Sequence, residues 1–374
     1  MSAPNNILVI RLSSLGDVLM SLPAVKAIKD AFAQTRISWL VEGSVGEFLS
    51  YQSFIDDVIQ FPRASIERAI RKGNLLRATG EFKGFLKKLR GTRYDLVVDF
   101  HGIIKSAMLS MFVRGERRVG FGKAFAKEKS HLFYQEKVEA YDKRIHKVER
   151  NMLLPKYLGI DGVIPEVTLK IPADVNEYID NFFSRIGIGT PIFVINPFSS
   201  KGSRFKRWGI DRYAGLIKRI KDESQAHVLI LWGPGEEEEA EHLRQMAGDG
   251  VFLSCPTNIP QLFALLKRVD MYIGGDTGVM HLAAFAHKPV VAIFGPTDVY
   301  VNAPYGSPHI IVRRELPCSP CKKKDCHGRK CLEDITVEEV FEAVQRMYKR
   351  AGDKGQGTGD SNNGFDCYPL TPIP

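Results

Sequence analysis

Hydrophobic positions along the chain form short runs rich in β-branched residues, and these runs alternate with longer stretches of helical periodicity. The apolar runs lie at 7–12, 37–41 and 95–100, then at 191–196, 228–232, 271–274 and 290–294. Alternation of strands and helices is typical of a parallel sheet covered by helices on both faces. The sequence therefore predicts an α/β fold class with two Rossmann-like, doubly wound halves.

The stretch between these halves, 159–172, is punctuated by Gly and Pro. We expect an N-terminal domain over 1–165, a C-terminal domain over 166–350 and a flexible tail over 351–374 that is rich in Gly and Asn. Single long helices are predicted over 18–32 and 64–93, the second dense in Arg and Lys. Two such halves facing one another would line a central cleft with the carboxyl ends of their strands, where open α/β sheets bind ligands.

Composition narrows the class of protein. No apolar run approaches the ~20 residues that a membrane span requires, and six cysteines in 374 residues are too few for a disulfide scaffold. The first residues lack the basic region of a signal peptide, so we expect a cytoplasmic protein. The net charge of +9 favours a polyanionic partner, and the absence of a helix-turn-helix or an RNA-binding aromatic motif argues against nucleic acid.

Asp17 is the first candidate catalytic residue, because it follows the first strand and a glycine turn. In one interpretation it only caps the helix that begins there. In the other it is a general base that removes a proton from a hydroxyl group. A single carboxylate suits proton removal better than glycoside hydrolysis by two carboxylates.

Three further segments of the second half are candidates for binding a phosphorylated nucleotide. The loop at 196–208 carries Ser199, Ser200 and Lys206, which could hold phosphate oxygens or form only a solvated basic loop. Glu237 follows a Gly-rich turn and could accept hydrogen bonds from ribose hydroxyls, or simply stabilise a helix dipole.

The strand, turn and helix around 271–284 carry the sharpest local pattern. Asp276, Thr277 and Gly278 stand at the start of the helix, where free N–H groups suit a diphosphate, and His281 is a polar residue in an otherwise apolar stretch. We therefore expect these four residues to bind a ligand.

Four cysteines are concentrated near the C-terminus of the second half: Cys318, Cys321, Cys326 and Cys331. Four thiolates in so short a segment could hold one structural Zn²⁺. The spacing matches the usual two-pair zinc pattern only in part, so reduced thiols or a disulfide-prone loop fit equally well.

The motifs together resemble one family. These are the segments at 7–17, 99–107, 231–237, 275–284 and 294–298. In this order they are similar to the ADP-heptose:lipopolysaccharide heptosyltransferases of glycosyltransferase family 9, which have the two-Rossmann GT-B fold. The resemblance implies inverting transfer of L-glycero-D-manno-heptose from ADP-heptose to the inner core of lipopolysaccharide, at the cytoplasmic face of the inner membrane.

Carried over by position, the resemblance makes Asp17 the general base, Lys206 the lysine near the donor phosphates and Glu237 the ribose ligand. It assigns Asp276, Thr277, Gly278 and His281 to the diphosphate and sugar, with Ser199 and Ser200 nearby. It implies ADP-heptose as donor and no required cofactor or catalytic metal. The first half would bind the acceptor and the second half the donor.

For the acceptor, an anionic Kdo-lipid, we expect contacts from cations in the basic helix. The candidates are Arg63, Arg68, Arg71 and Lys72. The first half is closer to heptosyltransferase I, whereas the cysteine segment is closer to type II, so we expect type I, with type II as the alternative. A different GT-B nucleotide-sugar enzyme and a nonenzymatic nucleotide-binding protein are also compatible with two Rossmann-like halves.

Overall fold

The computed structural model describes residues 3–140, 142–321, 323, 326 and 328–354, with side chains described up to 350. The chain divides after Ile171 into two compact units, which we call the first unit and the second unit. The last helix runs to Lys354, and the remainder of the expected flexible tail, 355–374, lies outside the described residues.

The first unit contains a six-stranded parallel sheet. Its strands are β1 (Asn6–Ile10), β2 (Arg36–Glu42), β3 (Asp57–Phe61), β4 (Tyr94–Asp99), β5 (Gly115–Phe121) and β6 (Glu136–Val138). Its helices are α1 (Leu15–Leu19), α2 (Leu22–Ala31), α3 (Val45–Ser50), α4 (Arg63–Arg71), α5 (Leu75–Leu89), α6 (Ile104–Met111) and α7 (Lys147–Tyr157). The spatial order β3-β2-β1-β4-β5-β6 is that of a Rossmann sheet.

The second unit repeats this architecture. Its strands are β7 (Ile192–Asn196), β8 (His227–Ile230), β9 (Val251–Leu253), β10 (Met271–Gly275), β11 (Val290–Phe294) and β12 (His309–Arg313). Its helices are α8 (Ala173–Ile186), α9 (Ile210–Glu223), α10 (Glu237–Ala247), α11 (Ile259–Leu266), α12 (Gly278–Phe285), α13 (Val299–Asn302), α14 (Lys330–Glu333) and α15 (Val337–Lys354). The order β12-β11-β10-β7-β8-β9 is the same topology as in the first unit.

The two predicted doubly wound sheets are confirmed, and burial explains why the strands were legible in the sequence. β7 is buried at every position, and β1 at every position after Asn6. A parallel strand covered by helices on both faces reads as a continuous apolar run. The shorter strands β6 and β9 lie at the ends of their sheets, where such runs are not required.

Both helices predicted as single long segments are interrupted. The first breaks between α1 and α2, where Pro23 is the second residue of the new helix, because proline lacks the N–H that continuation of α1 would need. The second breaks between α4 and α5 at Gly73, whose φ of +70° is a left-handed conformation that favours glycine. Among the described residues, none of the helices has the length and hydrophobicity to cross a bilayer.

Candidate active site

Asp17 lies in the first turn of α1, a few residues beyond the carboxyl end of β1. Ser14 is the N-cap residue of this helix, so the interpretation of Asp17 as a simple cap is not what the structure shows. The Ser14 hydroxyl instead donates to Asp17 Oδ2 over 3.2 Å. The carboxylate is therefore held at the strand end where a Rossmann sheet presents its chemistry.

Two cations contact the Asp17 carboxylate directly. Arg11 Nη2 lies 3.0 Å from Oδ2, and Lys147 Nζ, from the first turn of α7, lies 2.7 Å from Oδ1. Burial by itself raises the pKa of this carboxyl. The charges of Arg11 and Lys147 outweigh that effect and hold the pKa of Asp17 well below its usual range, and Arg150 adds to them.

Arg150 brings a third cation to this site. Its guanidinium lies over the rings of Phe121 and Phe125, with 5.5 Å and 5.6 Å to the centroids. Burial and the charge of Arg11 lower the pKa of Arg150 to about 10. Its Nε is buried and has no hydrogen-bond partner among the described residues. Three cations thus surround one carboxylate, which leaves an excess of positive charge.

Asp99 and His101 form a buried polar network at the end of β4. The Asp99 carboxylate accepts hydrogen bonds from the His101 N–H (2.7 Å), the Gly102 N–H (3.2 Å) and the Tyr134 hydroxyl (2.7 Å). The Leu12 N–H donates to His101 Nδ1, so the ring proton sits on Nε2. Burial, with Arg11 nearby, lowers the pKa of His101 to about 3, and the ring is neutral at physiological pH.

The four cations expected to bind the acceptor lie on or beside α4. Arg63 lies 2.7 Å from Glu67 and 3.7 Å from Glu42, and Arg71 lies 4.0 Å from Glu67. Arg68 and Lys72 are exposed. The helix therefore gathers the predicted cations on one short element, with Glu67 compensating part of their charge.

In the second unit, Lys206 and Asp276 come together across 70 positions of sequence. Lys206 Nζ donates to Asp276 Oδ2 over 2.8 Å. The Asp276 side chain is only 8% exposed, and His281 Nε2 lies 3.9 Å from its Oδ1. Lys206 ends a short 3-10 helix (Lys201–Lys206), and Asp276 follows β10. The fold thus brings Lys206, from the loop at 196–208, to Asp276 and His281 of the later motif.

Thr277 and Gly278 begin α12, as the motif predicted. Thr277 is the N-cap, and its hydroxyl accepts from the Met280 N–H over 3.4 Å. Asn196, at the end of β7, donates to the same hydroxyl over 3.4 Å. His281 is buried within the helix. This helix start lies next to Asp276, and the N–H groups at the start of a helix can bind anions.

Ser199 and Ser200 are engaged within their own loop. The Ser199 hydroxyl donates to the Ser203 carbonyl over 2.9 Å, and the Ser200 hydroxyl lies 3.2 Å from that of Ser203. Ser199 is buried, whereas Ser200 is exposed. Of the two hydroxyls, that of Ser200 is the more accessible to a ligand.

Arg207 is a residue that sequence reasoning missed. Its guanidinium donates to the Ser199 carbonyl over 2.6 Å and to Glu236 over 2.7 Å, and it also contacts Glu239 over 3.0 Å. It therefore ties the serine loop to the acidic start of α10. The only sequence clue was its place beside Lys206, because its acidic partners are about thirty positions away.

Glu237 is the first residue of α10 and is exposed. Its neighbours are used differently: Glu236 accepts from the Gly233 N–H over 3.0 Å and pairs with Arg207, and Glu239 pairs with Arg207 as well. Glu237 and its neighbour Glu238 are thus exposed acids of this turn that take no part in these contacts.

The sequence left the four cysteines open between a structural zinc site, reduced thiols and a disulfide-prone loop, and the structure shows free thiols. Cys331 is buried in the core of the second unit, whereas Cys318 is exposed, and all four are free thiols. Burial, with the other three thiols nearby, raises the pKa of Cys331. No cluster of His, Cys, Asp or Glu able to hold a metal ion occurs among the described residues, all four of these cysteines included. The interpretation of these cysteines as reduced thiols fits this geometry.

Comparisons with known proteins agree with this architecture. The family model described as glycosyltransferase family 9 (heptosyltransferase) matches residues 83–332. The chain is 26% identical over 368 residues to the lipopolysaccharide core heptosyltransferase OpsX of Haemophilus influenzae, covering 92% of this chain and 97% of that protein.

Solved structures are similar over most of the chain. The glycosyl transferase family 9 protein from Veillonella parvula superposes with a TM-score of 0.77 at 18% identity, covering 92% of this chain and 98% of that one. The E. coli heptosyltransferase WaaC with ADP gives a TM-score of 0.73 at 24% identity, covering 91% and 99%. The predicted GT-B class of fold is therefore confirmed.

Proposed function

The chain belongs to glycosyltransferase family 9, and from that premise we propose that it transfers L-glycero-D-manno-heptose from ADP-heptose to the Kdo region of lipopolysaccharide. The name of the Haemophilus relative supports the lipopolysaccharide core as the acceptor. The E. coli WaaC structure was solved with ADP and with an ADP-2-deoxy-2-fluoro heptose, which supports ADP-heptose as the donor. Membership of the family makes the protein a glycosyltransferase, so a nonenzymatic nucleotide-binding role is set aside.

In the proposed mechanism, Asp17 is the general base. Its carboxylate accepts the proton of the acceptor hydroxyl while the hydroxyl oxygen attacks the anomeric carbon from the face opposite the departing ADP, which inverts that carbon. The observation that carries this assignment is the position of Asp17, ionised and ion-paired, at the end of β1. A low pKa keeps Asp17 ionised, but it also makes the carboxylate a weak base. Binding of a second anion by the surrounding cations would raise the pKa of Asp17 and make it a stronger base.

The excess charge at this site supports an acidic acceptor. Arg11, Lys147 and Arg150 exceed the single charge of Asp17, so a carboxylate or phosphate of the acceptor would be bound beside the base. We assign Arg63, Arg68, Arg71 and Lys72 to further acidic groups of the same acceptor. Kdo carboxylates and lipid A phosphates have this chemistry.

For the donor, we propose that the diphosphate binds at the start of α12. The N–H groups from Gly278 onward and the charge of Lys206 would stabilise the negative charge that grows on ADP as the glycosidic bond breaks. Asp276, Thr277 and His281 would orient the diphosphate and the sugar. Ser200, with Ser199 behind it, would contact the phosphates, and Glu237 would accept hydrogen bonds from the ribose hydroxyls. These groups supply the stabilisation without a required cofactor.

We propose that the enzyme works at the cytoplasmic face of the inner membrane, held there peripherally. The acceptor carries a lipid anchor, and the net charge of +9 favours an anionic surface. Among the two types, heptosyltransferase I is proposed, with type II as the alternative.

The function is tested by incubating the purified protein with ADP-L-glycero-D-manno-heptose and Kdo2-lipid A and measuring ADP release and the mass of the product. We expect ADP release with addition of one heptose, and an inverted anomeric configuration by NMR of the product. Product formed only from an acceptor that already carries one heptose would assign type II instead. Absence of release with either acceptor, from protein that ADP-heptose stabilises against heat, would reject the acceptor assignment and keep the donor site.

A further inference from the structure

The hairpin formed by α4 and α5 carries most of the excess positive charge of the chain. Residues 63–89 contain eight Lys and Arg against two Glu. Both acids are occupied: Glu67 pairs with Arg63, and Glu81 accepts from the Ser65 hydroxyl over 2.6 Å and lies 3.3 Å from Arg77. The remaining, unpaired charge of the hairpin is therefore positive.

The tip of the hairpin, residues 70–77, is exposed at every position. It nevertheless carries three large apolar side chains: Ile70 is 52% exposed, Leu75 is 63% exposed and Leu76 is 88% exposed. The cations Arg71, Lys72 and Arg77 stand between or beside them. Exposed leucines next to cations are the composition of segments that lie at a membrane interface.

The tip is presented on a braced base. At the root of the hairpin, Phe61 packs edge-on against Phe85 with 5.0 Å between centroids, and Phe82 packs against both Phe85 and Phe112 at 6.2 Å. At the tip, Gly73 turns the chain, and the Asn74 side chain caps α5 by accepting from the Arg77 N–H over 2.9 Å. The exposure of Leu75 and Leu76 is thus part of a folded turn.

We propose that residues 70–77 are a membrane-docking tip that inserts Leu75 and Leu76 between the head groups of an anionic bilayer. Arg77 would contact lipid phosphates, and so would Arg71 and Lys72 as long as no acceptor is bound to them. The charge complementarity between this hairpin and anionic lipid selects the bilayer over an apolar protein groove. The inference rests on the proposed function, which places the acceptor in a membrane. It explains how an enzyme could meet an acceptor whose sugar stands just above the lipid surface.

The test is cosedimentation of the full chain with vesicles that contain no acceptor. We expect binding to phosphatidylethanolamine vesicles that contain phosphatidylglycerol, weaker binding at high salt, and little binding to phosphatidylcholine alone. The double variant Leu75→Gln/Leu76→Gln should lower the partition coefficient by about tenfold or more, because two apolar insertions are lost. Since both side chains are exposed, this variant should keep the melting temperature of the wild type.

Matched controls distinguish a specific effect of the tip from nonspecific hydrophobic binding and from the effect of net charge. Leu132→Gln/Val163→Gln removes two similarly exposed apolar side chains from elsewhere in the first unit and should bind vesicles normally. Arg71→Glu/Lys72→Glu should abolish the preference for anionic lipid, whereas Lys218→Glu/Lys349→Glu changes the net charge equally at exposed sites in α9 and α15 and should have a small effect.

Two outcomes would overturn the inference: equal loss of binding in the tip variants and their controls, or a wild type that turns over soluble acceptor yet binds no vesicles. A tip variant that changes the oligomeric state of the free protein would also overturn it, since the tip would then be a protein interface. Vesicle binding without heptose transfer would instead reject the proposed function and leave the docking tip standing.

Discussion

The two units each place an ion-paired carboxylate beyond a buried strand, but they surround it differently. Asp17 in the first unit has Arg11, Lys147 and Arg150 around it, three cations for one acid. Asp276 in the second unit has one lysine, Lys206, at 2.8 Å. The same strand, turn and helix arrangement therefore yields one site with excess positive charge and one site whose lysine and carboxylate balance.

The contrast indicates what each carboxylate does for its ligand. An excess of partly buried cations is costly unless an anion joins them, so the acceptor that we propose for the first site should be acidic. At the second site Asp276 already compensates the charge of Lys206, so the proposed donor diphosphate would rely in larger part on the N–H groups at the start of α12. Substitutions in the two sites should separate these proposed roles, and replacement of Asp17, the proposed general base, should give the strongest effect.

Replacing Asp17 with Asn should separate the two sites most sharply. We expect kcat to fall by about 10²–10⁴-fold, because the amide cannot accept the acceptor proton. The heat stabilisation of the protein by ADP should not change, since ADP is assigned to the second unit. Asp30→Asn, which removes another ion-paired carboxylate from the same unit, is the control and should retain activity. An active, folded Asp17→Asn enzyme would remove Asp17 as the base.

Replacing Lys206 with Met should weaken donor binding by about ten- to a hundredfold, the usual effect of losing a charged hydrogen bond. It should also lower the melting temperature, because the buried Asp276 carboxylate loses its partner. The double variant Lys206→Met/Asp276→Asn should recover stability without recovering donor affinity. Recovery of both would mean that Lys206 serves only to neutralise Asp276. Lys218→Met is the control for loss of one lysine.

Replacing Lys147 with Met should shift the acidic limb of the pH profile of kcat/KM upward by about one pH unit, provided that Asp17 sets this limb. In the wild type, cations hold the pKa of Asp17 below its usual range, so the carboxylate stays ionised as pH falls. Removing one cation raises that pKa, and protonation then begins at higher pH. Lys156→Met, on the same helix, should leave the profile in place. An unchanged limb in Lys147→Met would show that another group governs it.

The ion pairs of Asp17 with Arg11 and Lys147 also make the stability of the first unit depend on pH. Because the folded pKa of Asp17 is lowered, its ion pairs stabilise the fold above the ordinary carboxyl pKa, and this contribution is lost as pH falls through the folded value. The wild type should therefore lose more stability on acidification than Asp17→Asn does. Thermal melts at a series of pH values would measure the difference.

Replacing Glu237 with Gln should have the smallest effect, about a three- to tenfold rise in the KM for ADP-heptose, because the side chain is exposed and screened. Glu238→Gln is the matched control one position along the same turn. A change in kcat without a change in KM would argue against ribose binding by Glu237.

The fold was legible in the sequence because its strands are covered on both faces. β1 and β7 read as continuous apolar runs, and these predictions are confirmed. Proline and glycine often interrupt helices, and Pro23 and Gly73 stand at the two breaks. The apolar periodicity continues through both positions, however, and so suggested single helices. Short strands such as β6 and β9 gave no comparable pattern.

The candidate sites could be predicted from the sequence only where their residues are close together along the chain. Asp17 and the Asp276–Gly278 segment stand directly after strands, so the pattern indicated them. The pairing of Lys147 with Asp17 spans 130 positions, and only the packing of α7 beside α2 brings it about. Arg207 was missed for the same reason, because its role depends on acids contributed by α10.

The placement of Lys147 and Arg150 on α7 also affects when the surroundings of Asp17 can form during synthesis of the chain. A ribosome releases Arg11 and Asp17 at the outset and α7 only after the whole first sheet has been made. Asn151, on that helix, joins α7 to the segment between α1 and α2 by donating a hydrogen bond to the Met20 carbonyl over 2.8 Å. The first unit can fold during synthesis before the second exists, but Asp17 cannot gain its second and third cations until α7 has been synthesised.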